Sequence, residues 1–288
     1  MADTVTKQTN FGDLPPEYSS LNKSRVVIVP VPFDATSTWQ KGADKGPEAL
    51  LAASANMELY DIETGSEVYK VGIHTDQPVI VQSGPEELAD VVARRVGAHL
   101  ANEKFIVTIG GEHSVSIGSI RAHTRAKGTL TVLQLDAHSD LRDEYHGSKY
   151  NHACVMARVK EMCPAVQVGI RSMDASEKQY IDSKNIFFAE DIQKSARWMD
   201  KVIGRLSEQV YITIDLDVFD PSIMPSTGTP EPGGLLWYDV LEFLKKVSDS
   251  KNIVGFDVVE LCPNITNKAP DFLAAKLIYK LLSYKFRG

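Results

Sequence analysis

The sequence predicts an α/β fold, an open and mostly parallel sheet covered by helices on both faces. Two observations predict it: short β-branched apolar runs alternate with longer amphipathic segments, and the runs are apolar throughout rather than at every second position. A strand apolar on both sides needs cover on both, which parallel sheets with crossover helices supply. A third observation separates the open sheet from a closed barrel. Acidic clusters follow only some of the strands, as expected of a crevice at the carboxyl edge of an open sheet.

The elements follow in order. Residues 26–31 (VVIVPV) read as the first strand. A helix over 47–59 begins with Pro47 at a first-turn position, where its missing N–H is no loss. A short strand lies near 68–73. Residues 85–102 carry Leu88, Val91, Val92 and Val96 at helical spacing. Strand 105–109 and helix 115–126 come next, then strand 130–135, helix 153–162, strand 165–170 and a short strand at 185–188. A helix over 191–207 precedes strand 210–214. Helix 237–248, strand 253–258 and helix 270–286 close the pattern.

The 288 residues include no Pro/Ser/Gly-rich linker and no internal repeat, so one domain over 25–288 is expected behind an N-terminal arm of residues 1–24. A net charge of −7 leaves no basic footprint for nucleic acid. It is compatible with a cationic small substrate, and equally with solubility alone. The segment MADTVTKQTNFGDLPPEYSS has no apolar core, so neither a signal peptide nor an anchor is expected there. No stretch approaches the roughly 20 apolar residues of a membrane span. Cys154, Cys163 and Cys262 lack CxxC spacing and an even count, which reads as reduced thiols in a cytoplasmic protein. Cys154 reads as a small apolar filler.

Three clusters carry the chemistry. Gly110-Gly111-Glu112-His113-Ser114 follows FIVTIG, with glycines that let the backbone turn and leave His113 at a strand's carboxyl end. QLDAHSDL places Asp136, His138 and Asp140 at alternate positions, which share a face if the chain is extended. ITIDLDVFDPS ends a strand in Asp215 and Asp217, after which Asp220 reads as a turn former. Ionised carboxylates crowded on one face repel and raise their pKa values unless a cation compensates. Several carboxylates with two imidazoles and no thiolate suit Mn2+ better than structural zinc. Six donors exceed one tetrahedral ion and serve two ions that share carboxylates.

GGEHS, DAHSD and ITIDLDVFDPS, in this order, resemble the ureohydrolases, the family of arginase and agmatinase. PFDATSTWQKGADKGPEALLAAS, PSTGTPEPGGL and GFDVVELCP extend the resemblance over nearly the whole chain. It implies a three-layer α/β/α sandwich around a parallel sheet of about eight strands. It also implies a binuclear manganese hydrolase that cleaves a guanidino compound to urea and an amine. By the same resemblance, His113, Asp136, Asp140 and Asp215 surround one Mn2+ and His138, Asp136, Asp215 and Asp217 the other, so that Asp136 and Asp215 bridge. His152, in SKYNHACVMARV, matches a histidine that shuttles protons. Asp140 also orients the nucleophile, and Glu260, in DVVEL, matches the acid that binds the guanidinium. Trimers or hexamers are implied, with NFGDLPPEYSS a candidate for contacts.

The substrate's tail is read from residues beside these motifs. Arginases resemble DAHxDxN, and the asparagine position is Arg142 here, followed by Asp143, Glu144 and Tyr145. DLRDEY, SKYNHAC and STGTPEPGGL resemble agmatinases more closely, so agmatine giving putrescine and urea is expected. Arginine, guanidinobutyrate and aminopropyl-agmatine stay open. Arg142 could meet a carboxylate. Asp143 and Glu144 suit either a terminal ammonium or a solvated loop. Asp174, in GIRSMDASE, matches a family position near the substrate's amino end. His74, His99, His123 and His146 read as structural or surface residues. Two alternatives come from other classes: a zinc deacetylase-like enzyme, for which the His-His pair is missing, and a non-catalytic metal-binding protein, which has no need of His152 and Glu260.

Overall fold

The computed structural model describes residues 10–287; positions 1–9 of the expected N-terminal arm lie outside the described residues. Eight strands make one sheet: β1 (Val26–Val31), β2 (Ile73–Thr75), β3 (Phe105–Gly110), β4 (Thr131–Leu135), β5 (Ala165–Ile170), β6 (Ile186–Phe188), β7 (Gln209–Asp215) and β8 (Asn252–Val259). Their order is β2-β1-β3-β8-β7-β4-β5-β6, and every pairing is parallel. The helices are α1 (Pro16–Ser19), α2 (Gly46–Ser54), α3 (Pro85–Leu100), α4 (Val115–Lys127), α5 (Val155–Lys160), α6 (Ala189–Gln193), α7 (Trp198–Ile203), α8 (Trp237–Ser250) and α9 (Ala269–Lys285).

Alternation within each strand divides the core into two layers. Val26 and Ile28 of β1 join Leu50 of α2, Phe243 and Leu244 of α8 and Ile278 of α9 on one face. Val27 and Val29 join Leu88, Val92 and Val96 of α3 and Val115 of α4 on the other. Farther along that second face, Ile117 of α4 and Val155 and Val159 of α5 cover Val132 of β4. Truncating a fully buried leucine such as Leu244 to alanine would cost about 2–5 kcal/mol. Of the N-terminal arm, Phe11 and Leu14 sit within the first face's core.

Two expected elements differ. The helix expected over 191–207 is two short ones, α6 and α7, because Ile192 and Trp198 are both buried. In one continuous helix, residues six apart would point about 120° from each other. Residues 68–71 form a 3-10 turn, and the strand begins only after Gly72, whose φ is +80°. A Cβ there would stand 2.6 Å from Ser24 Cα, so the chain crosses Ser24 before it can join the sheet.

Candidate metal centre and active site

The four strands that carry the acidic clusters, β3, β8, β7 and β4, are consecutive in the middle of the sheet. Their ends are level, since Ile109 and Ile214 both pair with Val258 while Leu135 pairs with Ile214. The chain therefore delivers His113 after β3, Asp136 after β4, Asp215 at the end of β7 and Glu260 just beyond β8 to one place. Gly111 serves close approach rather than a left-handed turn. Its missing Cβ would lie 2.0 Å from Phe33 O, and that carbonyl accepts from the Glu112 N–H at 2.8 Å.

The hydrogen-bond inventory around His113 is decisive. Its Nε2 faces Thr213 Oγ1 at 2.9 Å, and Thr213 gives its own proton to Asp257 at 2.7 Å. Nε2 is therefore an N–H donor, and Nδ1 alone faces the carboxylates; burial opposes a charged ring, but Asp136, Asp140 and Asp215 outweigh it and raise its pKa where no other cation is at hand. Nδ1 lies 3.0, 3.1 and 3.4 Å from carboxylate oxygens of Asp136, Asp140 and Asp215, yet it makes no hydrogen bond with any of them. Four electron-rich atoms facing each other in a buried site fit a cation better than a proton.

A second group adjoins the first. His138 Nδ1 is 2.8 Å from Asp217 and 3.7 Å from Asp136. His113, Asp136 and Asp140 bring three ligand-type atoms close together, as do Asp136, His138 and Asp217; Asp136 belongs to both sets. Asp215 is in neither set, and it borders the first through His113. The electrostatics agree with a missing positive charge. Burial, then the Asp136 charge, pushes Asp140 up to about 6. Burial, with Asp217 and Asp136 behind it, raises Asp215. Burial opposes a charged His138, but Asp217 and Asp136 outweigh it and push the ring up to about 12. The cluster must take up protons or metal cations, and hard carboxylates with two imidazoles suit divalent ions.

Convergence does not come from an extended chain. β4 ends at Leu135, and Asp140 has φ +50°, in the left-handed region. This turns its carboxylate back to His113, while His138 reaches sideways to Asp217. The turn is held because Asp140 O accepts from the Met156 and Ala157 N–H groups at the start of α5. Glu177 fastens the same loop, accepting from Leu141 N at 2.8 Å and from Ser139 Oγ. Glu260 also has positive φ, +67°, unusual for a long side chain. Its N–H bonds Gly111 O at 2.7 Å, and its Oε1 accepts from His113 N at 2.7 Å.

Above the cluster lies a cavity of about 270 Å³ lined by His152, Glu260, Arg142, Asp174, Tyr145 and Trp39 among others. Burial, then the positive character of His113 and His138, lowers His152 to about 4. Arg142 and Asp174 meet each other: the guanidinium is 3.5 Å from Asp174 and 3.7 Å from Glu177, and it stacks on Tyr145 at 4.4 Å. Asp143 turns away to Arg158 at 2.8 Å and Lys149 at 3.2 Å. Asp220 binds the turn N–H groups of Ser222 and Gly233.

The remaining histidines find other partners. His74 meets a backbone carbonyl, His99 meets Asp76 and His146 packs on Tyr145; His123 is buried. The three cysteines are free, and Cys154 is fully buried. Glu112, Glu177 and Asp257 escape the sequence reading. Only Glu177 had a signal, the D-x-x-E capping box that begins at Asp174.

A family model described as the arginase family matches residues 24–283. An N(1)-aminopropylagmatine ureohydrolase of Synechocystis is 41% identical over 277 residues, covering 92% of this chain and 90% of that protein. An agmatinase of Pyrococcus horikoshii is 30% identical, covering 91% and 92%. The crystal structure of the agmatine ureohydrolase of Thermoplasma volcanium superposes with a TM-score of 0.87 at 30% identity, over 98% of this chain and 96% of that one.

Proposed function

The chain belongs to the arginase family, and on that premise we propose that it hydrolyses the guanidino group of a linear guanidinoalkyl amine to urea and the corresponding amine. The observation that carries this reading is the pair of donor sets sharing Asp136, set beneath a cavity that Glu260 also lines. In our reading the ions are two Mn2+, one against His113, Asp136, Asp140 and Asp215, the other against His138, Asp136, Asp215 and Asp217. When bound, they supply water acidic enough to attack at neutral pH.

The chain's own residues do the rest. Glu260 uses Oε1 to hold the His113 backbone, which leaves Oε2 for a guanidinium N–H. Asp140 orients the attacking water. Collapse to urea requires a proton on the leaving amine; His152, held neutral at neutral pH, would first take up the proton that the attacking water loses and then pass it to the amine.

The tail is read from the cavity's charge. Arg142 is the one Lys or Arg side chain lining the cavity among the described residues, and Asp174, Glu177 and Tyr145 engage it. A substrate α-carboxylate therefore finds Arg142 already engaged, whereas Glu231, a partly exposed carboxylate 3.8 Å from His138 Nε2, offers acidic surface for an ammonium. This supports agmatine, giving putrescine, over arginine. N(1)-aminopropylagmatine is the second reading, favoured by the name of the 41%-identical relative. The free thiols support a reducing cytoplasm. Exposed Trp39, Tyr238 and Ile265 offer apolar surface for a trimer or hexamer. Among the described residues, no helix is long and apolar enough to cross a membrane.

The test is urea release by the Mn2+-loaded protein from agmatine, N(1)-aminopropylagmatine and arginine, compared by kcat/KM. Both amines should exceed arginine by about 100-fold, the effect expected when a buried charge on the ligand goes unpaired. Arginine ranking first would overturn the reading of the tail, and no urea from any of them would overturn the hydrolase.

A further inference from the structure

His152 is held by a chain of groups that begins at a residue with no direct access to substrate. Glu112 is 0% exposed, and four donors converge on its carboxylate. Oε2 accepts from Thr36 N at 2.5 Å and Ser37 N at 3.0 Å; Oε1 accepts from Ser114 Oγ at 2.6 Å and Thr36 Oγ1 at 2.6 Å. Four donors on one carboxylate leave it acting purely as an acceptor. Thr36 has a single hydroxyl proton, which therefore goes to Glu112. The same Oγ1 also lies 3.0 Å from His152 N and 3.0 Å from His152 Nδ1.

With its proton already given, Thr36 Oγ1 can only accept from both. The backbone N–H fills one lone pair, and the other requires a proton on Nδ1. We propose that Glu112, acting through Thr36, is a positioning residue that fixes His152 as the Nδ1–H tautomer and leaves Nε2 as the nitrogen that exchanges protons with the reacting groups. The arrangement ties three separate parts of the chain together: the loop after β1, the turn after β3 and the loop before α5. A histidine free to flip or change tautomer would present the wrong nitrogen to the cavity for part of the time. Glu112 and Thr36 act through His152 and are not themselves catalytic residues.

The inference rests on the hydrolase reading for its kinetic consequence, but its structural content can be measured separately. Histidine-selective 15N NMR of the protein loaded with diamagnetic Zn2+, with the His152 signals assigned by their loss in His152→Asn, should show a protonated Nδ1 and a bare Nε2. The opposite tautomer in the wild-type protein overturns the proposal whether or not urea is formed. In the Mn2+-loaded protein, Thr36→Val keeps the shape and removes the hydroxyl. It should lower kcat about 10- to 100-fold, the range seen when an outer partner of a functional histidine is lost. KM and metal content should stay close to wild type, because Thr36 neither lines the cavity nor contacts the proposed metal-binding side chains. Thr36→Ser, which restores the hydroxyl, should recover most of the lost kcat. Wild-type kcat in Thr36→Val, or no recovery in Thr36→Ser, overturns the proposal. An inactive wild type with the expected tautomer overturns the hydrolase reading instead.

Discussion

Two buried acidic regions lie two residues apart along β7 and β8 and differ in what their carboxylates face. Below His113, Asp257 accepts from Ser116 Oγ at 2.9 Å, Thr213 Oγ1 at 2.7 Å and Tyr211 OH at 2.7 Å. Above it, Asp136 accepts from Gln134 Nε2 and His138 N and Asp215 accepts from Asp217 N, yet both carboxylates and that of Asp140 also crowd His113 Nδ1, which makes no hydrogen bond. Thr213 joins the two through His113 Nε2. A buried carboxylate surrounded by hydroxyls is a finished structural element. Three carboxylates crowded around one ring nitrogen form a site suited to a cation. The lower network also fixes the ring so that Nδ1 points into the upper one, the usual task of an outer partner of a metal-binding histidine.

The comparison breaks most directly at Asp136, the carboxylate common to both donor sets. Asp136→Asn should release bound metal and reduce urea production at least about 1,000-fold, as expected for losing the ions that activate water. Metal analysis beside the urea assay checks this, and full metal content in the variant would show that Asp136 does not bridge. Asp257→Asn tests the lower network. It should weaken metal binding about 10- to 100-fold, and it should destabilise the fold by about 1–3 kcal/mol through a buried acceptor replaced by a donor. Chelator competition and urea unfolding separate the two effects.

His123 sharpens the comparison from the other side, because its Nε2 is buried without a partner near the lower network. Burial, with Lys127 adding to it, lowers its pKa from 6.5 to about 4. Between those values the unfolded chain binds a proton that the folded one refuses. Its contribution is therefore complete above about pH 6.5 and is lost as pH falls toward 4, by up to about 3 kcal/mol. Unfolding curves at pH 7 and pH 4.5 should show this loss in the wild-type protein and a smaller one in His123→Asn. The smallest effect belongs to the surface: Lys245→Ala removes an exposed pair with Asp249 and should change stability by less than about 0.5 kcal/mol.

Most strands were legible because continuous apolar runs have one cheap solution, a sheet covered on both faces. β1 and β5 have the bounds their sequences suggest. The acidic residues at strand ends were also legible, since nothing but a compensated cluster explains so many of them after apolar runs. What the sequence concealed is how the chain brings them together. The alternation in QLDAHSDL suggested an extended face, whereas Asp140 arrives through a left-handed turn that Glu177 and α5 hold. Left-handed backbone at a non-glycine residue depends on distant partners, and no local pattern encodes it. Glu112 was hidden for a similar reason: its four donors come from the distant loop at Thr36 and Ser37 and from its neighbour Ser114. Arg142 and Asp174 read separately as substrate contacts, and only the fold shows that they face each other.

The central claim is that the carboxylate and imidazole cluster holds two divalent cations on which hydrolysis depends. Equilibrium dialysis of the chelator-treated protein against Mn2+, with urea release from agmatine and N(1)-aminopropylagmatine measured on the same samples, tests it most directly. The account predicts two Mn2+ per chain and activity that returns as both sites fill. Saturation at one ion with full activity, or activity that persists without metal, would contradict it.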